Sequence, residues 1–155
     1  MQLYIVRHGK CVPKERNRKK PLSIEGVEET EKIACFIRLH FAVQIKAIYH
    51  SEKLRAKETA ELFSKFLSPE KGMKAFDYLA PDGDITKLEP VLKESHDIMI
   101  ISHIPFIPNL VSDLLCGEEK YDILNIPESS VICMSNENEK NEWLIEWLIT
   151  PGIIQ

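Results

Sequence analysis

Two arginines and two histidines stand where the chain leaves runs of apolar residues, and their types suit one chemistry. Arg7 and His8 follow the first run, Arg55 comes shortly after the second, and His103 follows the third. A guanidinium presents a planar fork of donors for phosphate or carboxylate oxygens, and an imidazole can act as base, metal ligand or nucleophile. No cluster of carboxylates or thiols accompanies them, as a zinc or magnesium site would require. The set therefore predicts a pocket for a phosphoryl group without a metal.

In such a pocket the two kinds of side chain would have different tasks. Guanidinium groups can neutralise the non-bridging phosphoryl oxygens and stabilise the charge of the transition state. A neutral imidazole can attack phosphorus and form a covalent intermediate that water later hydrolyses.

The apolar runs predict the strands that would bring these side chains together. Residues 3–6 and 97–101 are almost wholly apolar, which is typical of strands buried on both faces of an α/β sheet, and residues 46–49 predict another strand. Ligands of open α/β sheets bind outside the carboxyl ends of the parallel strands. We therefore expect the four side chains at one edge of one sheet, where Gly9 would let the backbone turn or approach a ligand.

The rest of the chain predicts an α/β fold with a mostly parallel central sheet. Helices are expected over residues 23–40, from residue 54, over 85–95 and over 105–116, and a short strand within 73–78. Residues 129–135 and 143–149 predict an edge hairpin around a turn at 136–141, with Trp143 and Trp147 facing the same side. The 155 residues contain no repeat or linker, so a single domain spanning 1–155 is expected.

Two local features of the helices leave alternatives open. Arg55 falls in the first turn of its helix, where a cation opposes the helix dipole unless an anion binds nearby. Asp84 follows a turn and is expected to cap the helix after it, with catalysis as the alternative.

Composition restricts the classes of partner. The net charge of −4 argues against a nucleic-acid-binding protein, and no stretch is long and apolar enough for a membrane span. Four scattered cysteines and the lack of a secretion signal favour reduced thiols and a cytoplasmic location. One local exception to the acidic balance is the segment 13–21, here called the basic loop, which contains Lys14, Arg16, Arg18, Lys19 and Lys20. It is either a solvated loop or a cationic rim that attracts an anionic substrate or an acidic protein surface.

Three blocks of sequence resemble, in order and spacing, the histidine phosphatase superfamily, also called the phosphoglycerate mutase-like family. They are LYIVRHG at 3–9, SEKLRAKET at 51–59 and IISHIP at 100–105. The short length and the LAPDGD and ISHIP strings resemble the bacterial SixA-type phosphohistidine phosphatases within it. The resemblance implies a three-layer α/β/α sandwich.

It also implies the roles of single residues. His8 would be the phosphate-accepting nucleophile, and Arg7, Arg55 and His103 would form the phosphate pocket with Gly9, a pocket that phosphate or sulfate could occupy. No cofactor or metal is implied. Larger members protonate the leaving group with an acid from an insertion that this chain is too short to carry, which leaves Asp84, or less favourably Asp82, as candidate donors.

The missing insertion favours one substrate class. An alkoxide needs a proton in order to leave, whereas the imidazole of phosphohistidine is a better leaving group. Phosphohistidine on a partner protein, such as a histidine-phosphotransfer domain, is therefore expected, with the basic loop as a docking rim. The alternatives are a phosphatase of small phosphate esters, a catalytically silent phospho-recognition module and, more remotely, a metal-dependent hydrolase.

Overall fold

A computed structural model describes residues 1–94, 96–119, 124–136 and 142–154. Helices and strands follow one another in a βαβα order through the first half of the chain, as expected. The strands are β1 (Gln2–Arg7), β2 (Ala47–Ser51), β3 (Met73–Phe76), β4 (Ile98–Ser102), β5 (Val131–Ser135) and β6 (Leu144–Ile149). The α-helices are α1 (Ile24–His40), α2 (Leu54–Leu67), α3 (Glu89–Leu92) and α4 (Phe106–Cys116), and 3₁₀ turns cover Asp77–Leu79, Ile85–Leu88 and Pro151–Ile153.

The strands of the described ranges form one mixed sheet in the order β3-β2-β4-β1-β5-β6. β1, β2, β3 and β4 run parallel, while β5 pairs antiparallel with both β1 and β6. The prediction of a mostly parallel sheet with an edge hairpin is confirmed. Because β1 and β2 both flank β4, the carboxyl ends of these three strands lie side by side.

The alternating residues of β1 divide the core into two layers. Leu3 and Ile5 pack in one cluster with Leu110 of α4, and Tyr4 and Val6 pack in a second cluster with Ile37 of α1. The second cluster also contains the buried residues of α2, including Phe63. Helices therefore cover both faces of the sheet, and the expected three-layer α/β/α sandwich is confirmed.

Local signals predicted the ends of α1 and α4 well. The Ser23 hydroxyl caps α1 by accepting a hydrogen bond from the Gly26 amide at 3.0 Å. Gly117 ends α4 in the left-handed region at φ 70°, which favours glycine. No helix among the described residues is long and apolar enough to cross a membrane.

The segment predicted as one helix over 85–95 is instead a 3₁₀ turn followed by the single short helix α3. Pro90 lies at the start of α3, where its missing amide is tolerated, but it cannot continue the hydrogen-bonding of the turn before it. Asp84 does cap this segment, because its carboxylate accepts a hydrogen bond from the Thr86 amide at 3.0 Å. Ser95, at the predicted end of the helix, is outside the described residues.

The expectation that Trp143 and Trp147 share a side is wrong. Trp143 packs in the cluster beneath α4, whereas Trp147 packs with Phe41 on the opposite face, with ring centroids 4.6 Å apart. The β5–β6 pairing shifts register between Cys133 and Met134, so simple alternation does not hold along this hairpin. Of the turn predicted at 136–141, residues 137–141 are outside the described ranges.

Candidate active site

The carboxyl ends of β1 and β4 position the two histidines. Arg7 and Ser102 are register partners in the parallel pair, and the His8 amide donates to the Ser102 carbonyl at 3.1 Å. His103 follows Ser102, so both imidazoles leave adjacent strands at the same level. Their ring centroids are 4.9 Å apart.

The hydrogen bonds of His8 identify its tautomer. Nδ1 lies 2.8 Å from the Gly9 carbonyl oxygen, which can only accept, so Nδ1 carries the proton. Nε2 lies 3.2 Å from Nε of Arg55, which can only donate, so Nε2 presents its lone pair. The imidazole is thus neutral and has its nucleophilic nitrogen turned towards the arginine.

His103 is buried and its polar atoms are uncommitted. The residue is 1% exposed, and neither Nδ1 nor Nε2 has a hydrogen-bond partner among the described residues. Buried polar atoms without partners are rare in folded proteins and call for a ligand or a functional reason. An incoming phosphoryl oxygen would provide the missing partner.

The two terminal nitrogens of Arg7 contact neighbouring protein groups, whereas its Nε has no such contact among the described residues. One terminal nitrogen donates to the Ile126 carbonyl at 2.6 Å, and the other lies 3.3 Å from a carboxylate oxygen of Glu128. Its Nε is buried and has no partner within the described chain. The guanidinium is therefore held in place by the segment before β5 and keeps one donor free.

Burial and the neighbouring cations keep both histidines neutral. Burial, followed by the charges of Arg55 and Arg7, lowers the pKa of His8 to about 4, although its bond to Gly9 acts in the opposite direction. Burial, then the repulsion that a protonated His103 would meet from His8 if that ring were also protonated and from the charge of Arg55, lowers the pKa of His103 to about 2. Burial also lowers the pKa of Arg55. At neutral pH the pocket contains two neutral rings beside two guanidinium groups, which suits a neutral nucleophile and an anionic ligand.

Thr59, which the sequence argument did not single out, connects the segment of His8 and Gly9 to Arg55 in α2. Its hydroxyl accepts from the Gly9 amide at 3.0 Å and donates to the Arg55 carbonyl at 2.7 Å. The Gly9 amide is therefore committed to Thr59. A Cβ on Gly9 would lie 2.7 Å from the Thr30 hydroxyl oxygen, so a glycine is needed here for the close approach of α1.

The segment before β5, to which the sequence argument assigned no role, is also part of the site. Ile126 is fully buried, and the Ser129 amide donates to the carbonyls of Arg7 and His8 at 3.1 and 3.3 Å. The Ser129 hydroxyl lies 2.9 Å from that of Thr30 in α1. No periodicity or motif in the segment indicated these contacts.

The two candidate proton donors lie on an exposed turn. Asp84 is exposed, and its carboxylate accepts hydrogen bonds from the hydroxyl and the amide of Thr86, which lower the pKa of its carboxyl. Asp82 is exposed on the same turn. Neither is joined to His8 by a hydrogen bond or ion pair described for the chain.

The basic loop follows His8 closely in the sequence. Two backbone contacts close its base. Cys11 and Leu22 form an antiparallel β-bridge, and the Val12 amide donates a hydrogen bond to the Pro21 carbonyl at 2.8 Å. The Leu22 amide donates to the Glu58 carboxylate of α2 at 2.6 Å. The five cations are Lys14, Arg16, Arg18, Lys19 and Lys20, and none forms an ion pair with another described residue.

Among the described residues a metal-binding group is absent, and a cleft lies outside this site. No three His, Cys, Asp or Glu residues within it are grouped so that they could hold a metal ion. A cleft of about 700 Å³ lies by the amino end of β2 and contains residues such as Arg38, Lys46 and His96, but none of the four pocket side chains.

The chain is similar to known proteins in sequence and in fold. Residues 3–75 match the family described as the Histidine phosphatase superfamily (branch 1). The phosphohistidine phosphatase SixA of Escherichia coli (strain K12) is 25% identical over 157 residues, covering 97% of this chain and 94% of that protein.

Solved structures show the shared fold. A structure of the protein histidine phosphatase SixA complexed with tungstate has a TM-score of 0.86 at 24% identity, covering 100% of both chains. A phosphoserine phosphatase mutant from Entamoeba histolytica in complex with phosphoserine has a TM-score of 0.72 at 14% identity, covering 97% of both chains. The fold is thus shared by a protein histidine phosphatase and by a phosphoserine phosphatase.

Proposed function

We propose that this chain is a member of the histidine phosphatase superfamily and removes phosphate from phosphohistidine on a partner protein through a covalent intermediate on His8. The observation that carries the proposal is the tautomer of His8. Its Nδ1 is committed to the Gly9 carbonyl, and its Nε2 lone pair faces Nε of Arg55, while the buried ring of His103 lies 4.9 Å from that of His8.

The first step transfers the phosphoryl group. The Nε2 lone pair of His8 attacks phosphorus, the P–N bond of the substrate breaks, and its electron pair stays on the leaving ring nitrogen. Arg7, Arg55 and His103 bind the phosphoryl oxygens, for which the buried Nε of Arg7 and the ring nitrogens of His103 have no other described partner. Arg55 must give up its bond to His8 when the phosphoryl group arrives, because the nucleophile then needs its lone pair.

The second step regenerates the enzyme. A water molecule attacks the phosphorus of phosphorylated His8, the P–N bond breaks, and inorganic phosphate leaves. The Gly9 carbonyl holds the Nδ1 proton of His8 in both steps, which keeps the ring in one orientation.

The substrate class follows from the leaving group and from the surroundings of the pocket. Asp84 is occupied as a helix cap with a lowered pKa, so it is a poor proton donor for an alkoxide. Phosphohistidine does not need such a donor when its second ring nitrogen is protonated. The similarity to SixA supports the same class.

We propose that the partner binds through the basic loop and that a histidine-phosphotransfer domain is a suitable type of partner. The exposed and unpaired cations next to the nucleophile segment would attract an acidic rim around the phosphorylated histidine. We also place this activity in the cytoplasm, because the four cysteines are free thiols.

The experiment that tests the function is incubation with a protein phosphorylated on histidine. We expect loss of its phosphate and a transient acid-labile phosphate on His8, found by rapid quenching and peptide mapping. H8A should abolish both, whereas H40A, at the exposed end of α1, should retain them. Phosphate release without any label on His8 would contradict the covalent route.

A phosphatase of small esters is the second candidate, because the fold matches a phosphoserine phosphatase as well as SixA. Turnover of a phosphohistidine protein is compared with turnover of phosphoserine and sugar phosphates. A large preference for the esters would replace the main proposal. Binding without any turnover would indicate a recognition module, and loss of activity in EDTA would indicate a metal-dependent enzyme.

A further inference from the structure

Glu128 places a carboxylate beside the phosphoryl pocket. Its Oε1 lies 3.3 Å from a terminal nitrogen of Arg7, and its charge raises the pKa of His8 against the effects of burial and the arginines. The ion pair places a carboxylate against one of the arginines that would bind a phosphoryl group. A negative charge is unexpected here, because it opposes the binding of any phosphoryl group to the same guanidinium.

The backbone around Glu128 is anchored, so the carboxylate cannot simply move away with its loop. The preceding Ile126 is fully buried and accepts the other Arg7 donor. The following Ser129 donates to the backbone of Arg7 and His8 and contacts Thr30. The backbone on both sides of Glu128 therefore keeps its carboxylate near Arg7.

Exposure places this carboxylate nearer to the mouth of the pocket than to its floor. The Glu128 side chain is 34% exposed and that of Arg7 is 22% exposed, whereas His103 is 1% exposed. A phosphoryl group bound to His103 and the arginines would occupy the floor. The group attached to phosphorus would then lie towards the solvent side of the pocket, the side on which Glu128 is exposed.

We propose that Glu128 selects phosphohistidine over dianionic esters and free phosphate by pairing with the protonated ring of the substrate. This inference rests on the proposed function and names a specificity residue for it. A dianionic ester brings only negative charge to the carboxylate. Phosphohistidine with a protonated second ring nitrogen brings an N–H donor and a positive charge next to its phosphoryl group, and the carboxylate can accept that hydrogen bond.

The same pairing fits the leaving step. When His8 attacks, the electron pair of the breaking P–N bond neutralises the positive ring, and the proton stays on the other ring nitrogen. The leaving group is then neutral imidazole, and no proton has to be transferred from the enzyme. Glu128 contributes by increasing the share of bound substrate that is already protonated.

The test measures three quantities for the wild type and for E128Q, which keeps the shape but not the charge. They are kcat/KM on a phosphohistidine protein, kcat/KM on p-nitrophenyl phosphate, and the inhibition constant of inorganic phosphate. E128D, which keeps the charge, and E61Q, which removes a carboxylate from a surface ion pair with Lys57, are the matched controls. Thermal unfolding verifies that each variant is folded.

For E128Q we expect phosphate to inhibit roughly three to ten times more tightly, since one nearby negative charge is removed. We expect kcat/KM on phosphohistidine to fall about tenfold while that on the ester is unchanged or rises. The phosphate inhibition constant and the ratio of the two kcat/KM values should be closer to wild type in E128D than in E128Q. In E61Q both quantities should equal those of the wild type. The inference requires both changes in E128Q, so an unchanged phosphate inhibition constant or an unchanged substrate ratio overturns it.

Two further outcomes are also decisive. A larger loss on the ester than on phosphohistidine would make Glu128 a proton donor and overturn its role in selection. If the wild type itself did not act on phosphohistidine, the proposed function would fail. Wild-type activity with an unaltered ratio in E128Q would overturn only the role of Glu128.

Discussion

The rings of His8 and His103 lie with their centroids 4.9 Å apart and their planes tilted by 53°, so a charge on either ring would act directly on the other. Both are buried between arginines, and their pKa values are lowered to about 4 and about 2. The pocket therefore favours neutral imidazoles at neutral pH.

The first prediction concerns the pH dependence of stability. Histidines of the unfolded chain titrate near pH 6.5, so between about pH 6.5 and 4 the unfolded state takes up protons that the folded state does not. The free energy of unfolding should therefore fall as the pH drops through this window, by up to about 3 kcal/mol for each ring. Denaturant titrations at both ends of this pH window should show a smaller loss of unfolding free energy for H103Q than for the wild type. H40A should behave like the wild type, and equal losses in all three would contradict the lowered pKa.

The second prediction concerns Arg55, whose Nε donates to His8. R55K keeps the charge but loses the donor geometry, so kcat should fall about a hundredfold, the scale of losing one oriented donor in an active site. Tungstate should also bind more weakly, as measured by inhibition. R38K, which changes an exposed arginine of α1, serves as control. An R55K enzyme with near wild-type kcat would show that charge alone is sufficient.

The third prediction concerns Thr59, the hydroxyl that joins Gly9 to Arg55. T59V keeps the shape but leaves the buried Gly9 amide without its acceptor, which should cost about 1–3 kcal/mol of unfolding free energy. Activity should fall as well, because the positions of His8 and Arg55 are no longer coupled. T59S retains the hydroxyl and should recover most of both losses. Urea unfolding and a steady-state assay measure the two effects, and equal behaviour of T59V and T59S would contradict the prediction.

The fourth prediction concerns the basic loop. Reversing the charges of Arg16 and Arg18 to glutamate should lower kcat/KM for a phosphorylated protein by roughly tenfold or more at low salt, because electrostatic steering is lost. Turnover of p-nitrophenyl phosphate should not change, since the pocket is intact. The matched control reverses the exposed Lys32 and Lys71. The loss should shrink as salt rises, and an equal loss on both substrates would place the loop in the pocket rather than in docking.

Local sequence alone was sufficient for the framework. The runs that became β1 and β4 are buried on both faces, so their hydrophobicity is continuous and easily recognised. Ser23 and Gly117 mark helix ends through short-range bonds. Because parallel strands align their carboxyl ends, placing Arg7, His8, Arg55 and His103 near one edge followed from chain order.

Long-range packing decided what the sequence left open. Arg7 donates hydrogen bonds to the Glu128 carboxylate and to the Ile126 carbonyl, which are 121 and 119 residues away in sequence. Contacts over such separations cannot be predicted from a local sequence pattern. The register shift in the β5–β6 hairpin separated Trp143 from Trp147 for the same reason, since strand register depends on both partners. The sequence by itself determined which side chains stand at the strand ends. Only the tertiary structure decided which nitrogen of His8 is free and which carboxylate lies beside it, because hydrogen-bond direction is set by neighbours brought together in folding.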